Sequence, residues 1–116
     1  METIRGDALR GHLETMVLSV LEGGATHGFE ILRRLERDGC GALRLKEGTL
    51  YPVLYRLEQA GLVKAAWESD SAAGGRRGPR RRIYQLNKKG SQALAAGRGE
   101  WKSFVEIIGR IVGAPA

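Results

Sequence analysis

Residues 46–86 read KEGTLYPVLYRLEQAGLVKAAWESDSAAGGRRGPRRRIYQL, and the fold is decided there. Leu50, Val53, Leu54 and Leu57 recur at steps of three and four, the spacing of one face of an amphipathic helix. Pro52 is expected in or near the first turn, because an interior proline breaks the hydrogen-bond ladder at a cost of ~3 kcal/mol. Gly61 is the natural C-terminal stop. Directly after it, Val63, Ala65 and Trp67 alternate with Lys64 and Ala66, and later Arg82, Tyr84 and Leu86 alternate with Ile83 and Gln85. This period of two predicts the strands of a hairpin. Ser69 to Pro79, between them, is polar, glycine-rich and basic, which suits a long exposed loop better than a tight turn.

Upstream, Leu9, Leu13, Met16, Val17, Val20 and Leu21 predict a helix from Ala8 to Leu21, stopped by Gly23 and Gly24. Phe29, Ile31, Leu32 and Leu35 predict a second helix, opened by Thr26 as N-cap and ended at Gly39 and Gly41. Downstream, Asn87 is a good N-cap for a helix from about Lys88 to about Val112, expected to be weakened at Gly97 and Gly99. Trp101, Phe104, Val105, Ile108, Ile111 and Val112 form a broad apolar stripe on its second half, widened by Ile107. So small a domain cannot cover that stripe alone.

Three short helices, a strand, a loop, a strand and a long helix make a mainly α fold with a small β-hairpin. This is the layout of a winged helix-turn-helix, whose third helix enters the major groove of DNA. We expect a DNA-binding domain over residues 1–87 and a C-terminal dimerisation helix over 88–116.

The chain has 116 residues and a net charge of +6. Arg76, Arg77, Arg80, Arg81, Arg82, Lys88 and Lys89 lie between Gly74 and Gly90 with no acidic residue among them, and without these seven the chain would be net −1. A field so localised suits a polyanion met by one projecting element. The single cysteine, Cys40, points to a reducing compartment. The sequence shows neither an apolar run near the ~18 residues of a membrane span nor a signal-peptide core, and we expect a cytoplasmic protein. Two histidines and one cysteine argue against a metal site, and no catalytic signature or cofactor motif stands out.

At the start of the third helix, Lys46, Gly48, Thr49, Tyr51 and Pro52 offer a cation, a hydroxyl, a phenol and free backbone N–H groups to phosphates or base edges, with Tyr55 and Arg56 close by. The alternatives are a core-packed Tyr51 and a Thr49 that only caps the helix. Glu47, Arg56 and Glu58 leave this helix net −1, so phosphate attraction must come from elsewhere. Arg76, Arg77, Arg80, Arg81 and Arg82 are suited to phosphates and a narrow minor groove, though a solvated charge run or an import signal would look similar. His27, opening the second helix, is a candidate phosphate contact or a plain surface residue. Trp101 serves a dimer core, a pocket for a planar ligand, or both, with Met16 and the rest of the stripe as neighbours.

Gly48-Thr-Leu-Tyr-Pro52, Leu54-Tyr-Arg-Leu-Glu58 and Gly61-Leu-Val63 resemble the recognition-helix signature of PadR-type transcriptional regulators. His27-Gly-Phe-Glu-Ile31 resembles that family's second helix, and Gly78-Pro-Arg80 with Ile83-Tyr84, Leu86 and Gly90 resembles its wing. The match runs over about residues 9–112. The resemblance implies a winged-helix homodimer joined through its C-terminal helix. It would bind palindromic sites on double-stranded DNA, usually as a repressor, in some cases answering to a small planar effector at the dimer interface near an aromatic such as Trp101. Asn87 replaces the usual threonine, Ile83 stands where an aromatic is common, and the arginine run is richer than the common pattern. A winged-helix module that binds another protein, and a nonspecific nucleic-acid-binding protein, are the competing readings.

Overall fold

The structure, a computed structural model, describes residues 11–69 and 78–114. Its elements are α1 (Leu13–Glu22), β1 (Thr26–His27), α2 (Gly28–Asp38), α3 (Glu47–Gln59), β2 (Val63–Trp67), β3 (Arg82–Leu86) and α4 (Lys88–Val112). The predicted helices and the hairpin are present. One small strand, β1, was not expected.

β1 changes how the second helix begins. Thr26 pairs with Tyr84 and His27 with Ile83, so β3 lies between β1 and β2 in a three-stranded antiparallel sheet. Thr26 is therefore a buried strand residue and not the N-cap. His27 takes that place, its ring nitrogen Nδ1 facing the N–H of Glu30 at 3.4 Å. The hairpin register runs from Val63 opposite Leu86 to Trp67 opposite Arg82.

α3 begins earlier than its apolar pattern suggests. Lys46 is its N-cap, so Pro52 stands in the second turn and not the first. The carbonyl that a proline cannot bond four residues back is that of Gly48. Both Gly48 and Pro52 are exposed, so water can satisfy that oxygen and the helix continues.

The core gathers one stripe from each element: Val17 and Leu21 of α1, Ile31 and Leu35 of α2, Leu50, Leu54 and Leu57 of α3, Val63 of β2, Tyr84 of β3 and Leu94 of α4. α4 is continuous through Gly97 and Gly99, against the expected weakening. Gly97 faces α1 so closely that a Cβ there would lie 2.5 Å from Thr15 Oγ1. Close helix packing outweighs a propensity penalty of ~1 kcal/mol per glycine. At its start, Asn87 Oδ1 accepts the N–H of Gly90 at 2.8 Å, the cap read from the sequence, while Asn87 Nδ2 donates to the Gly61 carbonyl at 2.8 Å. The end of α3 is thereby tied to the start of α4. Leu9 and residues 8–10 of the expected first helix lie outside the described residues, as does most of the loop between β2 and β3.

Candidate nucleic-acid interface

The apolar stripe of α3 faces inward, which forces the remaining side chains outward. Lys46, Gly48, Thr49, Tyr51, Pro52, Tyr55 and Arg56 are all exposed. Thr49 does not cap the helix; its backbone N–H bonds to the Lys46 carbonyl at 3.0 Å and its hydroxyl is left on the surface. Tyr51 keeps 44% of its surface exposed. Its ring lies over the start of α2, where a Cβ on Gly28 would come 2.5 Å from the phenol oxygen. Tyr51 is thus an anchored surface aromatic, outside the core cluster.

Two arginines of the expected interface are held by carboxylates. Arg56 Nε donates to Glu14 Oε1 on α1 at 3.0 Å. Arg82 donates to Glu58 Oε2 on α3 at 2.9 Å, and its guanidinium carbon lies 5.4 Å from the centre of the Trp67 ring. Arg82 therefore braces the loop end of the hairpin strands against α3. The next pair along the hairpin, Glu68 and Arg81, is joined twice: Glu68 N–H donates to the Arg81 carbonyl at 2.8 Å, and Arg81 N–H to Glu68 Oε1 at 2.9 Å. This leaves the Arg81 side chain on the surface, where it meets His27 Nε2 at 3.0 Å. Arg80 is exposed beside it. Arg76 and Arg77 lie outside the described residues. The exposed face of α3, the start of α2 and the loop end of the hairpin strands together form one surface carrying hydroxyl, phenol and guanidinium donors.

A second feature lies between α1 and α4, a groove of about 690 Å³ lined by His12, Thr15, Met16, Leu94, Trp101 and Phe104, among others. Trp101 and Phe104 stack with ring centres 5.9 Å apart, and His12 stands edge-on to both at 5.2 and 6.0 Å. At its rim Arg98 bonds to Glu22 at 2.9 Å, which lowers the Glu22 carboxyl below its ordinary range. Of the residues expected at such a pocket, the structure brings Met16, Trp101 and Phe104 together. Val105, Ile108, Ile111 and Val112 lie further along α4 and do not line it; Ile111 is 76% exposed. The sequence reading missed His12, Thr15 and Arg98, because no local pattern tells which residues α1 turns toward a helix some 80 positions away.

The Transcriptional regulator PadR-like family matches residues 17–96, which run from the middle of α1 to the first turns of α4. The chain belongs to the PadR-like family of transcriptional regulators. It is a DNA-binding transcriptional regulator with a winged helix-turn-helix and a long C-terminal helix. Among solved structures, a transcriptional regulator from Clostridium thermocellum is 27% identical, with a TM-score of 0.82 over 95% of this chain and 99% of that one. A PadR family regulator from Clostridium difficile is 28% identical, with a TM-score of 0.72 over 88% and 99% of the two chains. One from Eggerthella lenta is 26% identical, with a TM-score of 0.76 over 91% and 86%. An uncharacterised protein of Lysinibacillus sphaericus is 30% identical over 105 residues, 90% of this chain and 92% of that protein. Among the described residues, no helix is long and apolar enough to cross a membrane.

Proposed function

We propose that this regulator is a sequence-specific repressor that binds a palindromic promoter site as a homodimer in the cytoplasm. Residues 1–87 would read DNA and residues 88–116 would join two copies. Thr49, Tyr51, Pro52, Tyr55 and Arg56 enter the major groove, with Lys46 and Gly48 at its edge. His27, Arg80, Arg81 and the loop residues Arg76 and Arg77 hold the backbone or the minor groove. Arg82, bound to Glu58, positions the hairpin that carries them.

The observation that carries this reading is the apolar face of α4. Trp101, Phe104, Ile107, Ile108, Ile111 and Val112 are all exposed on one helix, the last two by 76% and 66%. An apolar surface of this kind marks an interaction site. A second copy is the partner that would turn one DNA-reading face into two related by a twofold axis, as palindromic recognition requires. The groove beside Trp101 is the proposed seat of a small planar effector, which His12, Trp101 and Phe104 would stack upon.

Selection of binding sites from random DNA, with sedimentation of the same sample, tests the proposal. A twofold-symmetric motif bound by a dimer is the expected outcome. Failure to enrich any motif would return the winged-helix protein-interaction module or the nonspecific binder as the better reading.

A further inference from the structure

α3 ends in a glycine cap that leaves backbone carbonyls to be met from outside the helix. Gly61 takes a left-handed φ of +75°, its N–H bonds to the Glu58 carbonyl at 3.0 Å, and the Leu62 N–H bonds to the Leu57 carbonyl at 3.0 Å. Three successive carbonyls at and beyond this cap, those of Ala60, Gly61 and Leu62, accept from the start of α4. Lys89 Nζ donates to Ala60 at 2.9 Å, Asn87 Nδ2 to Gly61 at 2.8 Å, and the Asn87 backbone N–H to Leu62 at 3.4 Å. Gly90 closes the joint, because a Cβ there would collide with the Leu62 carbonyl. A helix C-terminus attracts donors and cations, and here both come from one stretch of chain. A second anchor lies about two turns further along α4. Leu94 is buried, Gly97 packs on Thr15, and Arg98 bonds to Glu22 and Ser19 of α1.

We propose that Asn87 and Lys89 are positioning residues that lock the angle between α3 and α4 and thereby set the half-site spacing this regulator accepts. The inference rests on the homodimer proposed above and names the joint that gives it its geometry. Two anchors on one helix fix its direction as well as its place. From Gly90 to Val112, α4 rises ~33 Å. Tilting it by ~10° at the joint would carry its far end ~6 Å, more than the ~3.4 Å between successive base pairs. A twofold reader that tells one spacing from the next therefore needs α3 and α4 held at a nearly fixed angle. Asn87 divides its side chain between the two helices, Oδ1 capping α4 through the Gly90 N–H and Nδ2 reaching back to Gly61. A serine there would cap equally well but has no amide to reach Gly61. Lys89 belongs by sequence to the basic stretch, yet its ammonium group meets the end of α3.

The test uses the full-length protein, its Asn87→Ser and Lys89→Met variants and the double variant, on duplexes of the selected site with base pairs inserted one at a time between the half-sites. Loss of the Lys89 charge weakens every duplex alike, so the quantity read is the ratio of affinities between spacings. Wild type should prefer its best spacing over the next by about tenfold, and the double variant by no more than about threefold. Asn87→Ser changes no charge and should bind a single half-site as wild type does. Lys89→Met leaves the cap of α4 in place, so the test holds even if Asn87→Ser does not fold. The joint is overturned if the variants keep the wild-type ratios, whatever their overall affinity. Wild-type protein indifferent to spacing would instead overturn the homodimeric reader, a result distinct from a preference that wild type and variants share.

Discussion

Arg56 on α3 donates through Nε to Glu14 on α1 at 3.0 Å, a contact that spans 42 positions of the chain. Both side chains are more than half exposed, so the pair adds at most ~1 kcal/mol to stability. Its larger effect falls on DNA, because Glu14 competes with phosphate for the one arginine of α3. Glu14→Gln is expected to raise affinity for duplex DNA by roughly two- to fivefold and to steepen its salt dependence. Anisotropy titrations over a salt series measure both, and an unchanged affinity would remove Arg56 from the interface.

Two glycines separate stability from binding. A Cβ on Gly90 would lie 2.0 Å from the Leu62 carbonyl oxygen, which is backbone and cannot turn aside. Gly90→Ala should cost about 3 kcal/mol in urea unfolding. A Cβ on Gly28 would instead meet the outer end of Tyr51, a side chain free to swing outward. Gly28→Ala should therefore cost DNA affinity while shifting the unfolding midpoint much less.

Neighbouring arginines should differ in the salt dependence of binding. Arg80→Gln is expected to lower the slope of log affinity against log salt by about one, the signature of a lost phosphate contact. Arg82→Gln breaks the bond to Glu58 and the contact with Trp67, and should lower stability with a smaller change in slope. Equal slopes for Arg80→Gln and wild type would count against the hairpin as the source of phosphate attraction.

Stability should fall at both ends of the pH scale for identifiable reasons. Burial raises the Tyr84 phenol above its ordinary value of 10.0, so the folded state favours the neutral form. That contribution is complete below pH ~10 and is lost as pH rises through the folded value. Tyr84→Phe should flatten the alkaline limb. The Arg98 bond lowers Glu22 from 4.5, so its contribution is complete above that pH and fades as pH falls through the lowered value. Glu22→Gln should flatten the acid limb of a thermal-melting series.

The sequence was most legible where a local period records burial. Leu50, Leu54 and Leu57 of α3 follow such a period and are fully buried. The alternation of residues 63–67 and 82–86 likewise gave both hairpin strands their observed bounds. What escaped was non-local. Thr26 looks like a helix cap until Tyr84, 58 positions on, pairs with it as a strand. Pro52 reads as a residue in or near the first turn, and exposure of Gly48 lets the helix begin a full turn before it. In the candidate site, the exposed residues of α3 were legible as the complement of its apolar stripe. The pairing of Arg56 with Glu14 and of Arg82 with Glu58 was not, because charge partners carry no period.

If α4 assembles two DNA-reading faces into one twofold reader, affinity depends on the spacing between two inverted half-sites. Affinity is predicted to peak where the half-site centres lie about one helical turn, ~34 Å, apart and to fall steeply when two or three base pairs are added. Ile111→Glu, placing charge on the exposed face of α4, should abolish that dependence and sediment as a monomer. Wild-type affinity independent of spacing, with each half-site filled by its own monomer, would rule out a twofold reader joined through α4.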